Sequence, residues 1–512
     1  MKVGEAPEVR SGYGVGDAAV GVTTGLVGLA AAEVTAAILG NRVGPIDAVA
    51  EFVRDLTPGP VVEWAIGLLG TSDKVIVTAA VVVGAVGIAA LGGGRRTGPV
   101  VFTLLGLFGV IAALTRPAAE DISLVPYLVG AGSWLLCHAL LSRRSRALSP
   151  EQSAGQEGSR AGTDRRHFLY LLGGVAVASV VGLAGAQWLR ARSAVEAARD
   201  ALNLGASRGV VPDGADLGVP GLGPWQVPND GFYRIDTAFS VPTVDPDRWQ
   251  LRIHGMVDRE ITLSFADLLA RERTEAWVTL CCVSNPVGGD LIGNAWWSGV
   301  RIAPLLAEAG VHPDADAVLQ TSVDGWNCAT PIEVLTDDRD ALLAVAMNGD
   351  PLPIEHGFPV RAVVPGLYGY VSATKWVVDF EVGRFENFSP YWVQRGWAML
   401  GPVKTQSRID VPRPGTVTAG DLRVAGVAWA QHTGIDKVEV RLDEGNWATC
   451  ELGRVPSVDT WVQWTTTVDC APGKHLLTVR ATDRTGTTQT EEVVGTVPDG
   501  ATGWDEVFVT AQ

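Results

Sequence analysis

Two adjacent cysteines, Cys281 and Cys282, open the segment Cys281-Cys282-Val283-Ser284-Asn285-Pro286 at the end of an apolar run, Trp277–Cys282, that reads as a strand. A cysteine at a strand end, leading into a Ser-Asn-Pro loop, is placed to offer a thiolate to a metal, while a pair of small buried residues fits the same pattern. Further along, His356-Gly357-Phe358-Pro359-Val360-Arg361 sets a histidine and an arginine five positions apart around a rigid Phe-Pro. Pro365-Gly366-Leu367-Tyr368-Gly369-Tyr370 then precedes Ser372-Ala373-Thr374-Lys375-Trp376. A glycine-rich turn followed by a lysine supplies backbone N–H groups and a cation, both suited to phosphate. Phe232-Tyr233-Arg234 adds a further cation. Arg361 and Lys375 stand among apolar neighbours (Val360, Ala362, Trp376, Val377), and a long cation in such company needs a buried anion.

In this order the residues resemble the sulfite oxidase family of molybdopterin-dependent oxidoreductases, over roughly residues 231–512. The elements that carry the resemblance are Cys282-Val283-Ser284-Asn285, Trp297-Ser298-Gly299-Val300, Met347-Asn348-Gly349 with Pro351-Leu352-Pro353, the run from Glu355 to Arg361, and Thr374-Lys375-Trp376. The resemblance implies that Cys282 binds molybdenum beside the two sulfurs of the pterin dithiolene, soft ligands for a metal that changes oxidation state. It assigns the pterin and phosphate of the molybdopterin cofactor to Phe232, Arg234, Asp324, His356, Arg361, Thr374 and Lys375. It places Cys282, Arg234 and Trp397 at the reacting centre, Trp397 standing at the position of the family's tyrosine. Cys281, pointing the other way on the strand, is expected to be structural.

The departures from the family are informative. The arginines that follow the metal-binding cysteine in sulfite oxidases are replaced here by Pro286 and Val287, and the late arginine of the C-terminal domain has no counterpart near Val494–Pro498. A dianion held by Arg234 and Arg395 alone, inside an acidic domain, would bind poorly. Trp296, Trp297, Trp326, Trp392 and Trp397 suggest an aromatic pocket for a neutral or organic substrate. The expected activity is two-electron oxygen-atom transfer on a small substrate other than sulfite, for example on a sulfoxide. Sulfite oxidation proper is one alternative, and a non-enzymatic binding or assembly module that keeps the fold is another.

These residues need elements to hold them, and the chain divides sharply near residue 192. Of its 512 residues 47% are hydrophobic and 19% charged, and the net charge is −16. Up to Arg192 there are 16 lysines and arginines against 14 acids, which leaves 24 against 42 beyond it. So long a chain needs more than one core, and the acidic balance excludes a nucleic-acid partner. Six cysteines exclude a disulfide-built scaffold.

Residues 1–192 read as an α-helical membrane region with about five spans: Ala18–Leu39, Val75–Leu91, Val100–Leu114, Ile122–Leu141 and Phe168–Trp188. Val61–Leu69 is too short to cross and reads as interfacial. Glu33, inside the first span, must face another helix or a polar cavity. Arg95 and Arg96, then Arg143, Arg144, Arg146, Arg160, Arg165 and Arg166, mark two cytoplasmic loops. The catalytic part then falls outside the cytoplasmic membrane. Asp164-Arg165-Arg166-His167-Phe168-Leu169 resembles a twin-arginine export signal, although positive-inside arginines before a helix read the same way.

Residues 193–230 read as a short helix, Ala194–Leu202, and an extended tether, Gly205–Asn229. Residues 231–404 are expected to be an α+β molybdopterin domain, in which Trp249–Ile253 is a strand and Ser264–Leu269 a helix capped by Ser264. Residues 405–512 read as an immunoglobulin-like β-sandwich with strands at Leu422–Trp429, Lys437–Leu442, Trp447–Glu451, Trp461–Val468, Lys474–Ala481 and Glu491–Gly495. In the family that domain helps dimerise, so the resemblance admits a homodimer, while the sequence itself does not fix the oligomeric state. Cys450 and Cys470 form either a disulfide or two free buried thiols. No haem c motif or iron–sulfur cysteine set is present, so an external cytochrome, or quinone reached through the membrane lipid, must take the two electrons.

Overall fold

The computed structural model describes residues 15–39, 41, 43–57, 61, 73–94, 96–115, 123–147, 170, 173–185 and 194–512. It resolves into two compact units, residues 1–193 with 238–241, and residues 194–237 with 242–512.

In the first unit, helices Val15–Ile38, Asp73–Leu91, Gly98–Leu114 and Val125–Ala147 lie close to four of the expected spans. Among the described residues three helices are long and apolar enough to cross a membrane: Gly16–Ile38, Lys74–Leu91 and Val125–Arg143. Gly98–Leu114 and Gly173–Gly185 are apolar but shorter. The Asp164–Leu169 motif and most of Val61–Leu69 lie outside the described residues, as do both ends of Phe168–Trp188. An unexpected helix, Pro45–Leu56, follows the first span, with Pro45 in its first turn, where a missing N–H costs nothing. Glu33 is buried, and its Oε1 accepts the Ile46 amide at 2.8 Å, an orphan donor of that helix's first turn. A buried carboxylate is thereby satisfied by another helix. Trp134 Nε1 donates to the Gly25 carbonyl at 2.9 Å, tying Val125–Ala147 to the first helix.

In the second unit, two sheets carry the region that holds the cysteine loop. One has the strand order Ile261–Ser264, Gln250–Gly255, Val377–Gly383, Ala317–Ser322, Asn327–Pro331. The other runs Thr274–Cys281, Ile292–Arg301, Leu342–Met347, Asp350–Pro351, with Arg361–Val363 paired to Leu342–Met347. Trp277–Cys281 and Leu342–Met347 are buried throughout, which is why they read as continuous rather than alternating runs. The helix at Phe265–Leu269 starts with a full capping box, Ser264 and Asp267 each satisfying the other's backbone amide.

Residues 406–512 add two further sheets to this unit. One orders Gln406–Val411, Gly420–Trp429, Val462–Cys470, Glu451–Leu452; the other orders Gly415–Val417, Asp505–Ala511, Gly473–Asp483, Ile435–Leu442, Ala448–Thr449. Val424, Val438, Val440, Trp464, Leu477 and Val479 share one core. Two expectations fail here. Glu491–Gly495 is no strand and keeps one bridge, Val494 to Thr502, because Asp505–Ala511 takes the place beside Gly473–Asp483. Trp447–Glu451 is broken at Cys450, with Ala448–Thr449 joining one sheet and Glu451–Leu452 the other. Cys450 and Cys470 are both buried free thiols.

The stretch Gly205–Asn229 lacks regular secondary structure but is anchored along its length. Trp225 is fully buried and its Nε1 donates to the Trp461 carbonyl at 3.2 Å, while Gln463 Nε2 donates to the Gly223 carbonyl at 2.8 Å.

Candidate functional site

Cys281 is the last residue of its strand and Cys282 the first of the loop, so their side chains part. Cys282 lines a partly enclosed cleft, whereas Cys281 does not. The loop is closed by its own bonds: Cys282 N donates to the Leu291 carbonyl at 2.9 Å, Asn285 N to the Cys282 carbonyl at 3.1 Å, and Leu291 N to Asn285 Oδ1 at 2.9 Å. Burial pushes the Cys282 thiol up, with hydrogen bonds from Ser284 working against it. Without a metal, then, Cys282 is a thiol; a metal must supply the charge that makes it a thiolate.

His356, Arg361 and Lys375 line the same cleft. Gly357, at φ +112°, lets their two segments meet, since a Cβ there would stand 2.9 Å from Arg361 Cβ and 3.2 Å from Lys375 Cα. The His356 Nε2 lies 3.1 Å from the Asn229 carbonyl, which can only accept, so Nε2 carries the hydrogen. Burial lowers the His356 pKa to about 4, reinforced by the charges of Arg361 and Lys375, so the ring is neutral.

Arg361 is buried, with its guanidinium 5.1 Å from the Trp297 ring and donating to the carbonyls of His356 at 3.2 Å and Ala373 at 3.5 Å. Among the described residues no carboxylate pairs with it. Burial lowers its pKa to about 10, yet it remains a cation at neutral pH. Lys375 Nζ donates to Asp236 Oδ2 at 2.7 Å and to the Glu355 carbonyl at 3.0 Å. Trp376, next in sequence, takes φ +51°, unusual for a bulky residue, and is held there by its Nε1 bond to the Ile354 carbonyl at 2.9 Å. Its ring lies 4.6 Å from Lys375 Nζ.

Of the other residues singled out in the sequence, Phe232, Asp324, Trp326, Trp392 and Trp397 also line the cleft. Arg234 and Thr374 are not among the lining residues. Arg234 is 41% exposed and donates from Nε to Asp236 Oδ2 at 3.0 Å. Thr374 is fully buried with Oγ1 3.3 Å from Cys328 Sγ, while its neighbours Ala373 and Lys375 face the cleft. Trp296 and Trp297 are not lining residues either; Trp297 packs under Arg361 and Trp296 against Trp277.

Tyr233, Asp236, Ser322 and Tyr370 join the site without having been read in the sequence as site residues. Asp236 sits two places after Arg234, a spacing that hints at an ion pair but not at the partner 139 positions away. Two polar atoms of the lining are buried without any hydrogen-bond partner, Ser322 Oγ and Trp397 Nε1. An orphaned indole N–H is costly unless something in the cleft accepts from it.

The lining thus combines two sets of residues. One is a thiol, a neutral histidine and two buried cations, of which Arg361 has no carboxylate partner among the described residues. These residues fit a metal carried on a phosphate-tailed organic ligand. The other set is aromatic, Tyr370, Trp326, Trp392 and Trp397.

Comparison with known proteins agrees. A family model described as the oxidoreductase molybdopterin binding domain matches residues 238–392. The uncharacterized oxidoreductase YuiH of Bacillus subtilis (strain 168) is 36% identical over 157 residues, which are 31% of this chain and 76% of that protein. Mitochondrial sulfite oxidase of Homo sapiens is 31% identical over 257 residues, 41% of this chain, and the chain spans only 47% of that enzyme's length. Among solved structures, the sulfane dehydrogenase SoxCD from Paracoccus pantotrophus is 26% identical, with 51% of this chain and 74% of that one covered and a TM-score of 0.46.

Proposed function

The chain belongs to the sulfite oxidase family of molybdopterin-dependent oxidoreductases, and from that premise we propose that it transfers an oxygen atom to or from a neutral, organic substrate rather than sulfite. The observation that carries this reading is the composition of the cleft. Among the described residues its lining cations are Arg361 and Lys375, and Tyr370, Trp326, Trp376, Trp392 and Trp397 make the lining rich in aromatic rings. Asp236 and Asp324 also line it. Arg395 is engaged with Tyr391, its guanidinium 3.6 Å from the ring. With Arg361 and Lys375 taken up by the cofactor's phosphate, sulfite would meet the two carboxylates without a cation to offset them, which disfavours an anion.

Cys282 would hold the metal, His356, which donates from Nε2 to the Asn229 carbonyl, would contact the pterin, and Arg361 and Lys375 would take the phosphate. The bound cofactor supplies the two-electron couple. Trp397 donates its free N–H to the substrate oxygen, and Trp326, Trp392 and Tyr370 exclude water around it. Two electrons are exchanged per turnover with an external cytochrome or quinone. The apolar helices of the first unit anchor the enzyme in the cytoplasmic membrane as a multi-pass protein, with the catalytic unit outside.

The discriminating experiment compares kcat/KM for sulfite oxidation with kcat/KM for reduction of a neutral dialkyl sulfoxide. The sulfoxide is expected to win by about tenfold or more. A preference for sulfite, the activity named in the human relative, would overturn the proposal.

A further inference from the structure

The loop behind Cys282 is gripped from outside its own sheet. Arg408, on the strand Gln406–Val411, donates from Nη1 to the Gly289 carbonyl at 2.6 Å. Its guanidinium is aimed by Asp410, which accepts from Nε at 2.7 Å and from Nη2 at 3.2 Å, and the side chain is 14% exposed. Beside it Gly288 adopts φ +72° and lies so close to Asp505 that a Cβ would overlap Oδ1. Asp505 is in turn fixed, its Oδ2 accepting the Ile409 amide at 2.8 Å.

The strand leading into the loop is held from the same side. Thr279 N donates to the Asp459 carbonyl at 2.9 Å, and Thr279 Oγ1 accepts the Trp461 amide at 2.8 Å. These bonds would suffice to dock the β-rich region. The Arg408 bond does something different, because it reaches the loop tip, whose remaining bonds are turns within itself. A metal-binding side chain must be held to about 0.5 Å, and an isolated loop does not provide that.

We propose that Arg408 is a positioning residue for Cys282. Through the Gly289 carbonyl it fixes the loop that opens at Cys282, so the C-terminal β-rich region is part of the metal-holding site. The inference rests on Cys282 being the metal ligand.

The test uses the full chain, purified from molybdate-supplied cells as wild type, Arg408→Gln, Arg408→Lys and Gly288→Ala. Molybdenum per chain, the thiolate-to-molybdenum charge-transfer absorption and the melting temperature are measured on each. Arg408→Gln should melt near wild type but hold about tenfold less molybdenum or show a displaced absorption band, with Arg408→Lys restoring most of both. Gly288→Ala, acting from the other side of the contact, should reproduce the defect, and it decides the matter if Arg408→Gln does not fold. Wild-type molybdenum content and an unmoved band in Arg408→Gln, or in Gly288→Ala where that variant decides, would overturn the proposal. Equal metal loading of wild type and Cys282→Ser would instead defeat its premise, so the two failures can be told apart.

Discussion

Lys375 Nζ and Asp236 Oδ2 stand 2.7 Å apart, with the two side chains 9% and 4% exposed. Burial draws the lysine pKa down to about 8, and Asp236 is the group that opposes the fall, against the like charges of Arg361 and Arg234. The same oxygen accepts from Arg234. A carboxylate beside the proposed phosphate site has a role through the lysine: it holds the Lys375 pKa up against burial.

The folded-state pKa of Lys375 is depressed, so the charged form, which the proposed phosphate grip requires, persists below about 8 and is lost above it. Wild-type protein should therefore release cofactor progressively as pH rises through that value. Asp236→Asn should move the release to lower pH and reduce pterin content several-fold at neutrality. Pterin fluorescence of protein dialysed across a pH series measures both. A release curve that ignores the substitution would refute the role given to Asp236.

His356 makes stability depend on pH in the acid range. Its folded pKa, about 4, lies below the unfolded value near 6.5, so the unfolded chain takes up the proton first. The neutral ring's contribution is complete above about 6.5 and is lost as pH falls toward 4. The difference is on the order of 3 kcal/mol. Gln at this position keeps a donor for the Asn229 carbonyl without titrating. Melting temperatures should fall between pH 7 and pH 4.5 by a smaller step in His356→Gln than in wild type.

Trp397→Phe removes the unpaired indole N–H and keeps an aromatic ring beside Tyr370 and Trp392, whose centroids lie 5.8 and 6.2 Å away. If that N–H binds the substrate oxygen, kcat/KM should drop about tenfold, the worth of one hydrogen bond. Molybdenum content should not change. A loss of metal would show that Trp397 serves the cofactor instead.

The sidedness of the catalytic unit is read from arginine positions alone. A periplasmic-type reporter fused at Gln512 should be active and a cytoplasmic-type reporter silent. The reverse pattern would place the catalytic unit inside.

The sequence was most legible where one chain segment makes its own site. The strand-and-loop pattern at Cys282 leaves a buried pair of small residues equally open, and it is the resemblance to the family that singles out Cys282, His356 and Arg361, which line one cleft. What could not be read depends on partners far apart in the chain. Asp236 lies 139 positions from Lys375, and nothing local announces their bond. Trp225, within a stretch of glycine and proline read as a tether, is wholly buried against a strand more than 200 residues later, which the tryptophan itself could have signalled. Glu491–Gly495 has the composition of a strand, but sheet membership is decided by which edge is free, and Asp505–Ala511 occupies it.

The account depends above all on Cys282 bonding the metal, and molybdenum-edge X-ray absorption counts sulfur ligands directly. Wild-type protein should show about three, two from the dithiolene and one from the cysteine, with Cys281→Ser unchanged and Cys282→Ser reduced to about two. A wild-type count of two, or a loss in Cys281→Ser instead, would contradict it.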